Sequence, residues 1–354
     1  MLSKEELLKW LEVYQDPILG LSCKKNLKSL ELSEAKARLA FELGYPSKVF
    51  ADHLAEQLKH AFPDIEFTFQ INTKIQAHAV QPSVKAVPGI KNIIAVASGK
   101  GGVGKSTTSV NLALALQKEG ARVGLLDADI YGPNQPQMLG VNIKPEITME
   151  KKFIPVEAHG LQTMSIGYLI DASQATIWRG PMVSGALTQL INDTVWDDLD
   201  YLIVDLPPGT GDIQLTLSQK IPVSGAVIVT TPQDVAVADA RKALAMFKKV
   251  SVPVLGLVEN MSYFECAHCD DKTYIFGQGG AEKLATEFNV PLLGEMPLLP
   301  KVREQLDQGK PPVVSDPESN AAKLYQTIAL KVAAQLSLRP RNYASKFPKI
   351  IIEE

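Results

Sequence analysis

An apolar segment, Ile93–Ala97, runs into Gly99-Lys100-Gly101-Gly102-Val103-Gly104-Lys105-Ser106-Thr107 and from there into a helical pattern. Few folds accommodate a strand, a glycine-rich turn and a helix in that order. The glycines let backbone N–H groups converge on an anion at the helix amino terminus, where the helix dipole also favours negative charge. Two templates fit. Gly99-x-Gly101-x-x-Gly104 matches a dinucleotide fingerprint, with Asp127 after the next strand as a ribose-binding acid. Gly99-x-x-x-x-Gly104-Lys105-Ser106 matches a phosphate-binding P-loop. Lys105 and Ser106 decide for the second. A lysine at the mouth of a helix is costly unless it meets phosphate charge. The hydroxyl after it is placed to ligate the Mg²⁺ that bridges β- and γ-phosphates. Gly99 to Thr107 are therefore expected to bind a nucleoside triphosphate.

The surrounding rhythm is strand, then helix, repeated. Apolar strands are predicted at Ile93–Ala97, Val123–Leu126, Leu202–Val204, Ala226–Val229 and Val254–Val258, with helices over Lys105–Glu119, Val183–Trp196 and Val235–Val250. Continuously apolar strands between helices imply an α/β fold: a mostly parallel sheet with helices on both faces. Ligands of such sheets bind beyond the carboxyl ends of the strands. Two of those ends carry acids. Tyr201-Leu-Ile-Val-Asp205-Leu-Pro-Pro-Gly-Thr-Gly-Asp212 is a Walker-B arrangement, in which Asp205 orients Mg²⁺ or its water. Pro207, Pro208 and Gly209 make a stiff turn where a γ-phosphate sensor could sit. The second end reads Asp127-Ala128-Asp129, and alternation along an extended segment points both acids to one side. Asp127 is expected near Mg²⁺ and Asp129 is expected to position the attacking water. The plainer alternatives are helix capping for Asp205 and Asp212, and a simple turn before Tyr131-Gly132-Pro133 for the acid pair.

Lys100 sits inside the loop, where most P-loops need no charge. It is either a solvated lysine or a cation that reaches the phosphates of a second subunit, as an arginine finger does, which requires a face-to-face dimer. Cys266-Ala-His-Cys269 is the other constellation. A redox pair would want its first cysteine opening a helix, whereas a polar loop surrounds this one. Zinc or an iron–sulfur cluster needs about four ligands, and Cys23 is the only other cysteine. His268, between the two thiols, is expected to point away. Two chains, each supplying Cys266 and Cys269, would complete a four-thiolate site on a two-fold axis. Tetrahedral zinc and a [4Fe–4S] cluster both suit four thiolates. Cys23, in an apolar context, is expected in the core.

The 354 residues suggest two or three domains at about 150 residues each. Residues 1–80 read as a small α+β domain: a helix capped by Ser3 with Glu6 behind it, a strand Leu39–Leu43, a helix Ser47–Phe62 and a strand Glu66–Ile71. Residues 81–90, with two prolines and no periodicity, read as a linker, 91–340 as the P-loop domain and 341–354 as a tail. With 36 basic and 39 acidic residues there is no basic excess for a nucleic-acid partner. No apolar run approaches the ~20 residues that span a bilayer, and the first residues lack a signal-peptide core, so a cytoplasmic location and no membrane partner are expected.

Together these residues resemble the Mrp/ApbC family of P-loop ATPases, the bacterial iron–sulfur cluster carriers, within the group that includes ParA and MinD. The likeness spans about residues 90 to 340. It takes in Gly99–Thr107 with Lys100, Asp127-Ala-Asp129, Trp178-Arg-Gly-Pro-Met182, Asp205 to Asp212, Val258-Glu-Asn260-Met-Ser, the two cysteines, Phe276-Gly-x-Gly-Gly280 and Gly294-Glu-Met-Pro297-Leu. The resemblance implies a homodimeric ATP hydrolase that holds a bridging [4Fe–4S] cluster and passes it from scaffold proteins to apoproteins. It also implies that Asn260 hydrogen-bonds the adenine and that residues around Pro297 flank it. The amino-terminal domain is similar to iron–sulfur assembly factors. It departs from them at Gly44-Tyr45-Pro46, where a cysteine often precedes the proline, which favours partner docking over cluster handling. The competing reading is a ParA/MinD-like positioning ATPase with a structural zinc. The tail after Leu338, broken by prolines and closed by two acids, lacks the basic amphipathic helix such proteins use at membranes.

Overall fold

The computed structural model describes residues 2–81, 84–169, 180–266, 269 and 271–342, and of Gly180, Pro181 and Asp212 the backbone alone. Trp178, Arg179, His268 and the tail from 343 onward lie outside the described residues.

The chain opens with α1 (Lys4–Val13). Ser3 and Glu6 form the expected reciprocal cap, the serine hydroxyl accepting from Glu6 N at 3.1 Å and the glutamate accepting from Ser3 N at 2.8 Å. β1 (Leu27–Ser33) and β2 (Lys36–Leu43) form an antiparallel hairpin. The chain then crosses through α2 (Phe50–Ala61) to β3 (Glu66–Thr73), which pairs parallel with β2. α2 buries Phe50, Leu54 and Leu58 at helical spacing. β1 carries little signal in the sequence, because its residues are mostly exposed and its apolar alternation is weak.

The larger sheet holds β4 (Ile90–Ala97), β5 (Val123–Asp127), β6 (Val156–Ala158), β7 (Leu161–Ser165), β8 (Leu199–Asp205), β9 (Val223–Thr230), β10 (Val254–Glu259) and, after a hairpin of β11 (Phe264–Glu265) and β12 (Lys272–Thr273), β13 (Leu292–Glu295). Their order is β13-β10-β9-β4-β8-β5-β7-β6, and every pairing is parallel except β6 with β7. The strands are apolar without alternation because both faces are covered. Ile94 and Val96 of β4 join one apolar cluster, while Ile93, Ala95 and Ala97 join the other. On the first face pack α3 (Lys105–Lys118), the short α4 (Gln135–Leu139), and, after others in the chain, the carboxyl-terminal helix. On the second lie α5 (Gly180–Asp193), α6 (Asp212–Lys220), α7 (Asp234–Lys249) and α8 (Gly280–Phe288). α9 (Pro300–Asp307), α10 (Pro312–Ser315) and α11 (Asn320–Ser337) close the fold, with α11 against α3.

The helix expected at Val183–Trp196 begins at Gly180 and ends at Asp193; Trp196 lies past it, its indole N–H on Ile191 O. The β6–β7 hairpin was not foreseen. Its turn, His159-Gly160, has φ of 51° and 80°, the two positive values of a tight two-residue hairpin loop.

The amino-terminal domain is packed on, not tethered to, the larger one. Its core residues Leu39, Phe41 and Leu58 belong to the same apolar cluster as Leu112, Leu116 and Leu336. Lys48 N donates to Glu119 Oε2 at 2.7 Å, and His78 N donates to Asn92 Oδ1 at 3.0 Å. No helix among the described residues is long and apolar enough to cross a membrane.

Candidate functional site

β4 delivers its last residue to a loop stitched on both sides. Gly209 N donates to Ser98 O at 3.0 Å and Leu206 N to Val96 O at 3.0 Å, which ties the glycine-rich loop to the turn after β8. Gly104 sits at φ +83°, a conformation side chains rarely adopt. Gly99 lies so close to α7 that a Cβ would stand 2.2 Å from the Asp239 carbonyl carbon. Gly101 and Gly102 are exposed, Val103 is buried, and Thr107 is half-buried in the first turn of α3. Lys100 is half-buried and makes no ion pair among the described residues; its carbonyl accepts from Ser98 Oγ at 2.9 Å.

The acids gather behind that loop because β5 and β8 are neighbours in register, Asp127 opposite Asp205. Lys105 Nζ lies 2.7 Å from Asp205 Oδ1, 3.7 Å from Asp129 Oδ2 and 3.3 Å from Ser106 Oγ. Lys105 and Asp205 are almost fully buried. Asp127 takes no direct contact from the lysine. Its Oδ1 accepts from Asp129 N at 3.1 Å, and its Oδ2 accepts from Gln135 N and Ser165 Oγ, each at 3.1 Å. Burial, followed by the repulsion of Asp205, pushes the Asp127 pKa up to about 7. Burial also raises Asp129, with Lys105 opposing the shift.

Three side chains that hold these acids escaped the sequence reading. Ser109 Oγ lies 2.8 Å from Asp205 Oδ1; it stands one helical turn after Lys105, and that spacing was the available signal. Gln135 Nε2 bridges Ser106 O and Asp205 Oδ2, both at 3.0 Å, while its buried Oε1 has no hydrogen-bond partner among the described residues. Ser165 arrives on the unforeseen β7. Nothing local in the sequence marks Gln135 or Ser165. Beside Asp129 a cavity of about 410 Å³ opens between Tyr131, Pro207, Pro208 and Gln214, whose buried amide has no hydrogen-bond partner among the described residues.

Asn260 follows β10 and is buried; its Nδ2 donates to Val103 O at 2.9 Å, so the amide grips the glycine-rich loop. Pro297 is buried two residues past β13. The next steps of the chain cross-link these two segments: Ser262 N donates to Met296 O at 2.9 Å and Leu298 N to Tyr263 O at 2.7 Å. From there rises the β11–β12 hairpin. Cys266 is half-buried with its N–H on Asp271 O at 3.1 Å, and Cys269 is exposed in the turn. Lys272 Nζ lies 4.3 Å over the Tyr263 ring at its base. Cys23 is in the core of the other domain, where burial pushes its thiol up to about 12. The structure therefore brings Lys105, Ser106, Asp127, Asp129, Asp205 and Asn260 together and leaves Cys23 apart from the cysteine pair. No three His, Cys, Asp or Glu side chains among the described residues are placed to hold a metal ion by themselves, so a cation here would draw on hydroxyl, amide or phosphate oxygens as well.

The donor set fits Mg²⁺. A serine hydroxyl, three crowded buried carboxylates and the orphaned Gln135 Oε1 are hard oxygen donors, and a cation would relieve the repulsion that raises Asp127.

Known proteins resemble this chain in fold and sequence. A nucleotide-binding protein of Archaeoglobus fulgidus, solved in complex with ADP, is 39% identical and superposes with a TM-score of 0.58 over 66% of this chain and 90% of its own. The cell-division ATPase MinD of Pyrococcus furiosus is 26% identical with a TM-score of 0.52, covering 68% of this chain and 98% of MinD. An iron–sulfur cluster carrier protein of Haemophilus influenzae is 50% identical over 341 residues, 92% of this chain and 90% of the relative. The Escherichia coli K12 carrier is 59% identical over 257 residues, 72% of this chain and 69% of the relative. The family model that describes the ParA-type NUBPL iron-transfer P-loop NTPases matches residues 89–333, and with these likenesses it shows that the chain belongs to that family.

Proposed function

We propose that this protein carries an iron–sulfur cluster between two copies of itself and passes it to apoproteins, with ATP binding and hydrolysis setting the cycle. The observation that carries the reading is the distribution of thiols. Cys266 and Cys269 share one exposed hairpin that leaves the carboxyl edge of the nucleotide-type sheet, while Cys23 is buried in another domain. Two thiolates are half of what a [4Fe–4S] cluster wants, and an isologous dimer doubles them. The carrier names of the relatives support iron–sulfur cargo over structural zinc.

The backbone of Gly99–Thr107 would cradle the triphosphate, and Ser106 with Asp205 and Asp127 would hold Mg²⁺, which neutralises phosphate charge when bound. For Lys105 to reach the β/γ-phosphates it must leave Asp205. That exchange frees the carboxylate where the metal needs it. Asp129, raised by burial, is suited to accept a proton from the attacking water. Lys100, half-buried and outside any ion pair among the described residues, supplies charge to the phosphates across the two-fold axis. Asn260 and the segment at Pro297 would take the adenine. The domains divide at 81–90, the amino-terminal one serving to dock partners, and the setting is the cytoplasm.

Metal stoichiometry on anaerobically prepared protein tests the reading. Four irons and four sulfides per two chains are expected, lost in Cys266→Ala and kept in Cys23→Ala, with nucleotide affinity unchanged in both. One zinc per dimer without sulfide would make the hairpin a structural staple and remove the cargo.

A further inference from the structure

A second concave site lies far from the phosphate loop, in the seam between the amino-terminal domain and the end of α11. Its cavity of about 240 Å³ is lined by Lys25, Lys28, Glu42, Lys74, His78 and Arg341, among others. The lining joins four cations to one acid in a chain whose net charge is −3. The acid is already spent: Lys28 Nζ lies 3.4 Å from Glu42 Oε1. Lys25, Lys74 and Arg341 make no ion pair among the described residues. They come from three separate stretches of chain: the turn before β1, the end of β3 and the residues after α11. Their convergence is therefore a product of domain packing, not of a charge run.

His78 lines the same cavity beside Arg341. It is buried, with Nδ1 3.0 Å from Asn92 Oδ1, and its pKa is held down chiefly by burial, with the Arg341 cation adding to the depression. Unpaired like charges around one cavity repel each other, and an anion between them converts that repulsion into attraction. The volume is below the usual 300–1,000 Å³ or so of sites for drug-sized ligands, which favours a ligand smaller than a whole nucleotide.

We infer that this seam binds a small polyanion carrying two or more negative charges, held by Lys25, Lys74 and Arg341 and clasping the two domains together. Arginine offers a planar fork that suits carboxylate and phosphate alike, so pyrophosphate-like and tricarboxylate-like ligands share the required chemistry. Bridging both domains, such a ligand would stabilise their packing by binding the folded form alone.

The test uses the full chain with saturating ADP present, and titrates pyrophosphate and citrate separately by calorimetry. The variant Lys25→Gln/Lys74→Gln/Arg341→Gln removes three exposed charges. The control Lys4→Gln/Lys59→Gln/Lys323→Gln removes the same total charge outside the cavity. One ligand per chain is expected for at least one probe, weakened roughly tenfold or more in the cavity variant and unchanged in the control. Preference for pyrophosphate or for citrate then identifies a phosphate or a carboxylate ligand. No binding of either probe, equal weakening in both variants, or unchanged affinity in the cavity variant would each overturn the proposal. Equal unfolding midpoints in urea for the two variants establish that a loss is local.

Discussion

Lys105 has almost no exposure and already faces two carboxylates, at 2.7 Å and 3.7 Å. Any phosphate it binds therefore competes with Asp205. Lys105→Ala should abolish tight binding of ATP·Mg²⁺, read by calorimetry. It should also destabilise the fold by about 3–5 kcal/mol in urea, because it strands buried acids without their cation. Asp205→Asn separates the two roles of that acid: nucleotide affinity in EDTA should rise as the competitor is removed, and the gain on adding Mg²⁺ should vanish. Asp129→Asn should leave affinity nearly intact and slow hydrolysis by about 10²–10⁴-fold, since only help to the attacking water is lost. Hydrolysis at the wild-type rate would remove Asp129 from that role. At this scale the sequence was informative where chemistry forces a spacing. A lysine and hydroxyl after a glycine turn, or an acid ending an apolar strand, have few other reasons to exist. It was silent on Gln135 and Ser165, which touch the acids only because β5, β7 and α4 meet in space.

Elements show the same division. Long buried strands were readable because a sheet covered on both faces demands an unbroken apolar run. β6, β13 and the β11–β12 hairpin span two to four residues each, and they exist only through their pairings. Helix α5 shifted because an apolar pattern does not mark the first turn, whereas the Ser3 cap marked α1 within a residue. Contacts between elements carry their own prediction. At Gly99 the loop and α7 touch backbone to backbone, so the added methyl of Gly99→Ala has no flexible side chain to displace. One of the two elements must move. Nucleotide affinity should fall at least tenfold while the circular-dichroism spectrum stays that of the wild type. An unchanged affinity would mean that the loop tolerates a displacement of that size.

Across the whole molecule, the shared apolar cluster predicts that the full chain melts in a single calorimetric transition although its two larger sheets are separate. The seam adds a pH dependence. His78 is buried against Asn92 and the Ser337 backbone with Arg341 nearby, and its pKa lies below the ordinary 6.5. The unfolded chain thus binds the proton more readily than the folded one. The contribution of His78 to stability is complete above about pH 6.5 and is lost as the pH falls below it. His78→Gln should flatten the acid side of the stability profile measured by urea denaturation between pH 5 and 7, a range set by that direction. The grip of Asn260 on Val103 has a consequence of another kind. Cys266 lies six residues after Asn260, and the intervening segment is laced to Met296 and Leu298. If the loop moves to admit phosphate, the bond from Asn260 to Val103 carries that movement toward the segment that holds Cys266. Were the hairpin to hold the proposed cluster, linkage would run both ways: whatever factor nucleotide imposes on cluster affinity, the cluster imposes on nucleotide affinity. Dissociation constants for ADP measured on cluster-loaded and cluster-stripped protein give that factor directly. A chain that surrenders its cargo on nucleotide exchange is, by the same arithmetic, one whose exchange is timed by the cargo.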